Sequence, residues 1–124
     1  MRSQLHFPSR PRMIEAALCG LVAVDCRFLR KRPFPWLYQS GVRYRREGRG
    51  GVERWLTIPE LLKKRFGDCE DLAAWRTAEL IVRKGVPARI RVIRTGRKTM
   101  HAVVELPDGS IEDPSRRLGM KGRG

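Results

Sequence analysis

Apolar residues recur along two long stretches of the chain with the periodicity of α-helices. From residue 12 to about residue 31, apolar side chains return every three or four positions, which places them on one helical face. A second run of this kind follows Cys69 and continues through Ile81, after Gly67 has interrupted the pattern. Asp68 can cap this helix, because its side-chain oxygen can accept an unpaired backbone N–H of the first turn. Cys69 is therefore expected at a helix N-terminus.

Shorter patterns predict one further helix and three antiparallel strands. The threonine and glutamate that bound residues 57–60 have the spacing of a capping box, which predicts a short helix. Alternating side chains predict strands over residues 88–94 and 100–106, and the turn residues that follow predict a hairpin into a third strand at Ile111. We therefore expect an α+β fold, in which N-terminal helices and the helix that begins with the cysteine pack on a small antiparallel sheet.

The length of the chain allows one domain. With 124 residues, 41% of them hydrophobic, the chain can form a single core. Residues 1–11 contain two prolines and two arginines, which predicts an irregular basic segment. Residues 116–124 combine basic side chains with glycines and predict a flexible, disordered tail. The predicted domain therefore extends over residues 12–115.

The chain is strongly basic. Lysine and arginine number 27 against 13 acidic residues, which gives a formal net charge of +14 and a pI near 11.1. Such a charge favours an anionic partner, but it does not choose between nucleic acid, acidic protein surfaces, wall polymers and lipid headgroups. A glycine-rich loop carries four arginines that could bind phosphates, namely Arg43, Arg45, Arg46 and Arg49. A solvated loop without a ligand is the alternative.

Three cysteines without a Cys-x-x-Cys pair predict neither a disulfide framework nor a zinc knuckle. Cys19 and Cys26 lie on the first predicted helix, where we expect them to act as small buried hydrophobic residues. No apolar stretch reaches the roughly 18 residues that span a bilayer, and the N-terminus lacks the core of a signal peptide. We therefore expect a protein without a membrane span in a reducing compartment, the cytoplasm.

The cysteine at the start of the second long helix is a candidate nucleophile. The helix N-terminus lowers the pKa of a thiol at this position, whereas acidic neighbours such as Asp68 and Glu70 raise it. The predicted hairpin can bring His101 beside Asp113, which completes the Cys-His-Asp set used in acyl transfer. An inert core cysteine is the alternative for Cys69. A metal site made of the same three residues would be a poor zinc set, since it lacks a second cysteine or histidine.

Four landmarks of the sequence resemble the transglutaminase-like superfamily. In chain order they are Gly67-Asp68-Cys69-Glu70-Asp71-Leu72-Ala73, the turn Lys84-Gly85-Val86-Pro87-Ala88-Arg89, His101-Ala102 with Glu105 and Gly109, and Asp113-Pro114-Ser115. The resemblance covers roughly residues 55–116. Residues 38–44 also look like small phage-encoded members of the group. Val103 departs from the pattern, since an aromatic residue often follows the His-Ala pair.

The resemblance implies a papain-like core with Cys69 as nucleophile, His101 as base and Asp113 as the residue that orients the imidazole. In such folds a side chain upstream of the cysteine commonly assists the backbone N–H of the cysteine in the oxyanion hole. The available candidates are Trp36, Tyr38, Gln39 and Tyr44. The alternative role of the aromatic candidates is to cover the core.

Two functional hypotheses follow from these residues. The first is a peptidase, amidase or transamidase that acts on an amide bond of a protein or peptide, including acidic ones, and that needs no cofactor and no metal. The second is a catalytically silent module, for example a phage virion or assembly protein, that binds nucleic acid or an acidic partner. Under the second hypothesis the protein would be associated with the virion.

Overall fold

The chain adopts an α+β fold, as the sequence predicts, in a computed structural model that describes residues 9–46, 54–97 and 99–121. In chain order the elements are α1 (Arg10–Lys31), a 3-10 turn (Leu37–Gln39), β1 (Arg43–Tyr44), α2 (Ile58–Lys64), β2 (Phe66–Gly67), α3 (Cys69–Lys84), β3 (Arg89–Arg94), β4 (Met100–Glu105), β5 (Ile111–Glu112) and α4 (Pro114–Arg117). Within these described ranges, none of the helices has both the length and the apolar character needed to cross a membrane.

Three strands form an antiparallel sheet in the order β3-β4-β5, as predicted. β3 and β4 pair along their whole length, starting with Arg89 opposite Glu105. β5 adds two residues to the other edge of β4, where Glu112 lies opposite Val104. The two-residue strands β1 and β2 form a separate parallel pair. The sequence does not predict this pair, because two residues are too few to show an alternating pattern.

The core lies between the sheet and the two long helices. α1 and α3 pack against each other, and both contact the sheet. Because side chains alternate along a strand, Ala102 and Val104 of β4 face the core together with Val92 of β3. Trp75 of α3 is fully buried in the same core. His101 alternates with the core-facing residues of β4 and therefore lies on the other face of the sheet.

The first helix begins earlier than the sequence predicts. Ser9 is its N-cap and accepts a hydrogen bond from the backbone N–H of Arg12. Pro11 lies in the first turn, where the missing N–H of a proline leaves no hydrogen bond unmade. The predicted irregular segment 1–11 is therefore wrong for residues 10 and 11, whereas residues 1–8 lie outside the described part of the chain.

The predicted disordered tail is wrong for residues 116–121. Arg116 and Arg117 belong to α4, and the Leu118 side chain that follows is only 7% exposed. The Leu118 carbonyl accepts a hydrogen bond from the N–H of Tyr44, at 2.9 Å. Burial of this one apolar side chain and its pairing with β1 hold the segment against the domain, which therefore extends beyond residue 115. Residues 122–124 lie outside the described part of the chain.

Candidate active site

Cys69 is the first residue of α3 and lies directly after the parallel β1–β2 pair. Asp68 is the N-cap, and its side chain forms a capping box with Asp71. Gly67 makes room for two buried leucines, because a Cβ at this position would come within 2.5 Å of Leu61 Cδ2 and 3.2 Å of Leu72 Cδ2 and would force them to shift. The local sequence thus explains why the chain turns into α3 at the cysteine, as predicted.

His101 and Asp113 form a hydrogen-bonded pair, with 2.9 Å between His101 Nε2 and Asp113 Oδ2. The register of β4 and β5 explains this contact, because it places both side chains on the same face of the sheet. Burial raises the pKa of Asp113, but hydrogen bonds and charges from His101 and Arg116 together outweigh burial, and the pKa lies below its ordinary value. Since Asp113 occupies Nε2, Nδ1 is the ring nitrogen left for a third group.

The thiol of Cys69 lies beside the strand that carries His101. The backbone N–H of Ala102, the residue after His101, favours the thiolate. Within the described residues, however, no hydrogen bond joins the thiol to His101, and the thiol donates instead to Glu70 Oε1 at 3.5 Å. The structure therefore places the Cys69 thiol beside the strand that carries His101, but the imidazole bonds to Asp113 on the face of the sheet opposite the core that includes Cys69.

The pKa of Cys69 is raised above its ordinary value. Burial is the largest cause, and the carboxylates of Glu70 and Asp68 add to it. The sequence left the direction of this shift open, because the effect of the helix N-terminus opposes that of the acidic neighbours. In the folded chain the burial and the acids dominate, and the resting group is a neutral thiol.

The backbone N–H of Cys69 donates to Asp68 Oδ1 at 2.7 Å. In acyl transfer by a cysteine at a helix N-terminus, this N–H would be aimed at the developing oxyanion. Asp68 therefore occupies the main-chain donor that the resemblance implies for the oxyanion hole.

Of the four side chains considered for the oxyanion hole, Tyr44 is the one that lies near the cysteine. Burial raises the pKa of Tyr44, and the charges of Asp68 and Cys69 raise it further, which shows that the three groups are neighbours. Tyr44 reaches this position because it pairs with Gly67 in the parallel ribbon.

The other three candidates have other contacts or are exposed. Trp36 packs under Arg83, whose guanidinium lies 4.5 Å from the ring centroid, and Arg83 is about 20 Å beyond Cys69 along α3 at roughly 1.5 Å per residue. The hydroxyl of Tyr38 donates to Glu112 Oε2 at 2.5 Å. Gln39 is exposed at the end of the 3-10 turn. Tyr38 thus has the alternative role, since it packs against the core, whereas Trp36 contacts the cations at the end of α3.

A buried ionic network next to the His101–Asp113 pair was not predicted. Arg76 of α3 donates to Glu112 Oε2 at 2.7 Å and to Glu79 Oε1 at 3.0 Å. Glu79 is fully buried and also accepts the N–H of Leu37. The network ties β5 to α3 immediately before Asp113. The only sequence signal for it is the three-residue spacing of Arg76 and Glu79 on a helix.

Two buried carboxylates accept backbone N–H groups at the start of α2 and at the N-terminus of α3. Asp71 accepts the backbone N–H groups of Leu56 and Asp68, at 2.8 and 3.1 Å. Asp25 of α1 accepts the N–H of Ile58 at 3.0 Å. The pKa of Asp25 is raised to about 8 and that of Asp71 to about 7. Burial is the largest cause for both, and neighbouring acids also contribute. These two side chains anchor the segment that enters α2.

The metal alternative considered for Cys69, His101 and Asp113 does not match the arrangement of ligand atoms. In the part of the chain that the structure describes, the group close enough to share an ion is Asp68, Cys69 and Glu70, with ligand atoms within 4.8 Å of one another. Two hard carboxylates beside one thiol form a poor set for zinc, and hydrogen bonds within the cluster already account for the thiol.

The predicted anion-binding arginines begin on a strand, not in a flexible loop. Arg43 belongs to β1, and Arg45 and Arg46 follow it with exposed side chains. The guanidinium of Arg45 lies 5.1 Å from the centroid of the Phe66 ring. Arg49 lies outside the described residues.

Cys19 and Cys26 lie on α1 as free cysteines. Cys26 is buried, as predicted, whereas Cys19 is exposed, because it lies on the face of α1 that points away from α3. Any solution assay of the Cys69 thiol must therefore account for Cys19.

The resemblance to the transglutaminase-like superfamily rests on the four sequence landmarks. Three of them contribute to the region described above, namely the start of α3, the His101 strand and the Asp113 turn. Comparisons of the chain with protein-family models, with curated protein sequences and with solved structures find no match.

Proposed function

We propose that the protein catalyses cysteine-dependent acyl transfer on an amide bond. Cys69 Sγ attacks the carbonyl carbon of the amide, and His101 Nδ1 accepts the thiol proton. The imidazolium returns this proton to the nitrogen of the leaving amine, which leaves a thioester on Cys69. Water then hydrolyses the thioester in a peptidase or amidase, whereas an amine replaces water in a transamidase. Asp113 holds the imidazole and stabilises its cationic form.

The observation that carries the proposal is the 2.9 Å contact between His101 Nε2 and Asp113 Oδ2, next to a cysteine at a helix N-terminus. A carboxylate on one ring nitrogen leaves the other nitrogen to act as the base. The thiol lies at Ala102, one residue along the same strand. Nucleophile, base and orienting acid therefore come from three separate elements, α3, β4 and the end of β5.

The proposal requires two local movements. The thiol must turn from Glu70 towards His101, where an imidazolium would stabilise the thiolate by roughly 4 kcal/mol at about 4 Å and an effective dielectric near 20. Asp68 must release the N–H of Cys69 so that this N–H can stabilise the oxyanion. The first is a rotation of the buried Cys69 side chain, and the second is a rotation of the partly exposed Asp68 carboxylate. Tyr44 is then the side chain that can supply a second donor.

A catalytically silent module is the second candidate function, and two observations favour it. The raised pKa of Cys69 keeps the thiol neutral, and its N–H is already paired. Under this candidate the same residues form an inert hydrogen-bonded cluster, and the basic surface binds an anionic partner such as nucleic acid.

An activated acyl ester of a peptide, followed by mass spectrometry of the intact protein, separates the two candidates. The assay uses a Cys19→Ala background, because the exposed Cys19 thiol would react on its own. We expect a thioester on Cys69 that is lost in Cys69→Ala and strongly slowed in His101→Ala. Cys26→Ala serves as the matched control and should react at the parent rate. Equal labelling of the parent and His101→Ala would contradict the proposed base and favour the silent module.

A further inference from the structure

Three exposed arginines lie on or next to the parallel strand pair, and we call them the basic ribbon: Arg43, Arg45 and Arg65. β1 carries the first of them, the second follows β1, and the third precedes β2. The pairing of β1 with β2 joins them, since the N–H of Arg43 donates to the carbonyl of Arg65 at 3.1 Å. All three side chains are exposed.

Contacts with backbone and ring surfaces hold the guanidinium groups of the basic ribbon. Arg65 lies over Gly41, so close that a Cβ there would come within 3.2 Å of its Nη2. Arg43 lies over Gly119 in the same way, at 3.1 Å. Arg45 lies over the ring of Phe66. These contacts involve glycine backbone and an aromatic ring, neither of which uses the N–H groups of a guanidinium as a carboxylate would.

No ion pair within the described residues neutralises the basic ribbon. Arginines on other elements do have acidic partners. Arg76 binds Glu79 and Glu112, and Arg91 binds Glu15 and Glu105. Within the described residues, the ribbon is therefore a positive surface without an acidic partner.

The surroundings of the ribbon favour a phosphate backbone over an acidic protein. A protein interface needs apolar side chains at its centre, whereas phosphate contacts need only positive donors. The exposed large hydrophobic residues in the described ranges are Met13, Ile93 and Ile111, and none of them lies on β1, β2 or α4. The planar fork of arginine also matches phosphate oxygens better than a lysine ammonium does.

From this arrangement we infer that the basic ribbon binds the phosphate backbone of a nucleic acid, without sequence readout. Tyr44 lies between two ribbon arginines in the chain and faces the opposite side, towards Cys69. Arg43 and Arg45 therefore lie on the side of β1 opposite the side that faces the candidate active site. Binding of nucleic acid does not depend on the proposed acyl transfer.

Fluorescence anisotropy with a short labelled DNA duplex of random sequence, measured over a range of salt concentrations, tests this inference. The variant replaces all three ribbon arginines with glutamine. Loss of three phosphate contacts should lower the slope of log K against log salt by about 2.7, at about 0.9 per phosphate. Cys69→Ala should bind as the wild type does. A ribbon variant that keeps the wild-type slope would overturn the inference.

A charge-matched control separates the ribbon from the general basicity of the chain. Arg12, Arg27 and Arg30 are exposed on α1, and no ion pair within the described residues involves them. Replacing these three with glutamine removes the same charge and should keep the wild-type slope. Equal losses of slope in both triple variants would show that the DNA is attracted by the overall positive charge of the chain, and would overturn the inference that the ribbon is the binding site.

Two further measurements keep the test decisive. Replacing the ribbon arginines with lysine retains their charge, so this variant should keep the salt slope while binding the duplex more weakly, even if the glutamine variant fails to fold. Poly-L-glutamate is the competing probe for an acidic protein partner. Tighter, ribbon-dependent binding of poly-L-glutamate than of DNA would replace nucleic acid with an acidic polypeptide and overturn the inference.

Discussion

Asp68 Oδ1 accepts a hydrogen bond from the backbone N–H of Cys69 at 2.7 Å, and this bond gives the Asp68 carboxylate two opposing effects. It caps α3 and so stabilises the helix that carries the cysteine. It also occupies the N–H that the proposed reaction needs for the oxyanion. The Asp68 carboxylate therefore stabilises α3 but is expected to slow the proposed reaction.

Replacing Asp68 separates these two effects. Asp68→Ala loses the cap, which should lower the free energy of unfolding by about 0.5–2 kcal/mol, but it frees the N–H of Cys69. Asp68→Asn keeps an acceptor at the cap. We expect faster acylation of Cys69 in the alanine variant than in the asparagine variant, although the alanine variant is less stable. Urea denaturation and acylation rates measured side by side test this order, and rates that fall with stability would contradict it.

Glu70 should control the reactivity of the thiol. Burial raises the pKa of Cys69, and the Glu70 carboxylate is the second cause. Glu70→Gln removes that charge, so the pH at which Cys69 reaches half of its maximal rate of alkylation by iodoacetamide should fall. Glu70→Asp keeps the charge and is the matched control, with little change expected. The measurement uses the Cys19→Ala background, and an unchanged midpoint in Glu70→Gln would argue against the electrostatic role of Glu70.

Asp113→Asn should abolish most of the activity and leave the fold intact. The amide can no longer stabilise the imidazolium of His101, and loss of the comparable carboxylate in a serine protease costs about four orders of magnitude in rate. The test compares acylation rates with far-UV circular dichroism. Asp108→Asn is the control, because this exposed carboxylate lies in the same hairpin and bonds only to Ser110 within the described residues. Equal rates in both variants would remove Asp113 from the mechanism.

The hairpin and its His101–Asp113 pair could be predicted because local sequence determines them. In the turn between β4 and β5, the N–H of Leu106 donates a hydrogen bond to the carbonyl of Ser110. Gly109 adopts the left-handed backbone conformation that the turn requires. The turn fixes the register of the strands. Register then fixes which side chains share a face.

The remaining features of the site depend on contacts between distant segments, which periodicity does not reveal. Tyr44 reaches Cys69 only through the parallel pairing of two-residue strands. Arg76 and Glu112 meet because α3 packs on the sheet, although 36 positions separate them in the chain. Leu118 lies in a short tail of mostly basic residues and glycines, so composition alone does not show that its side chain is buried.

Arg76 should be one of the most important residues for stability. Arg76→Met leaves the fully buried Glu79 and the partly buried Glu112 without the guanidinium that binds both, which should cost about 3–5 kcal/mol of unfolding free energy. Arg89→Gln is the matched control, because its side chain is 68% exposed and its contact with Glu105 is 3.6 Å, so the cost should stay below about 1 kcal/mol. Urea denaturation measures both, and similar costs would show that the network contributes little.

Asp25 should make the stability of the protein depend on pH in the direction opposite to that of an ordinary surface carboxylate. Burial raises its pKa to about 8 in the folded chain, whereas the unfolded chain ionises near pH 3.9. Between these values the folded state binds more protons, so the free energy of unfolding falls as the pH rises, by up to about 1.4 kcal/mol per pH unit. The contribution is complete below the unfolded pKa and is lost by about pH 8.

Asp25→Asn tests this sign, because asparagine keeps an acceptor for the N–H of Ile58 but does not titrate. The difference in unfolding free energy, variant minus wild type, should increase from about pH 4 to about pH 8 and then stay level. Asp71 and Glu60, the acids that face this site, are present in both proteins and change the difference only through their repulsion of Asp25. Urea denaturation at a series of pH values measures the difference. A difference that is constant with pH would mean that Asp25 is already ionised in the folded protein at low pH.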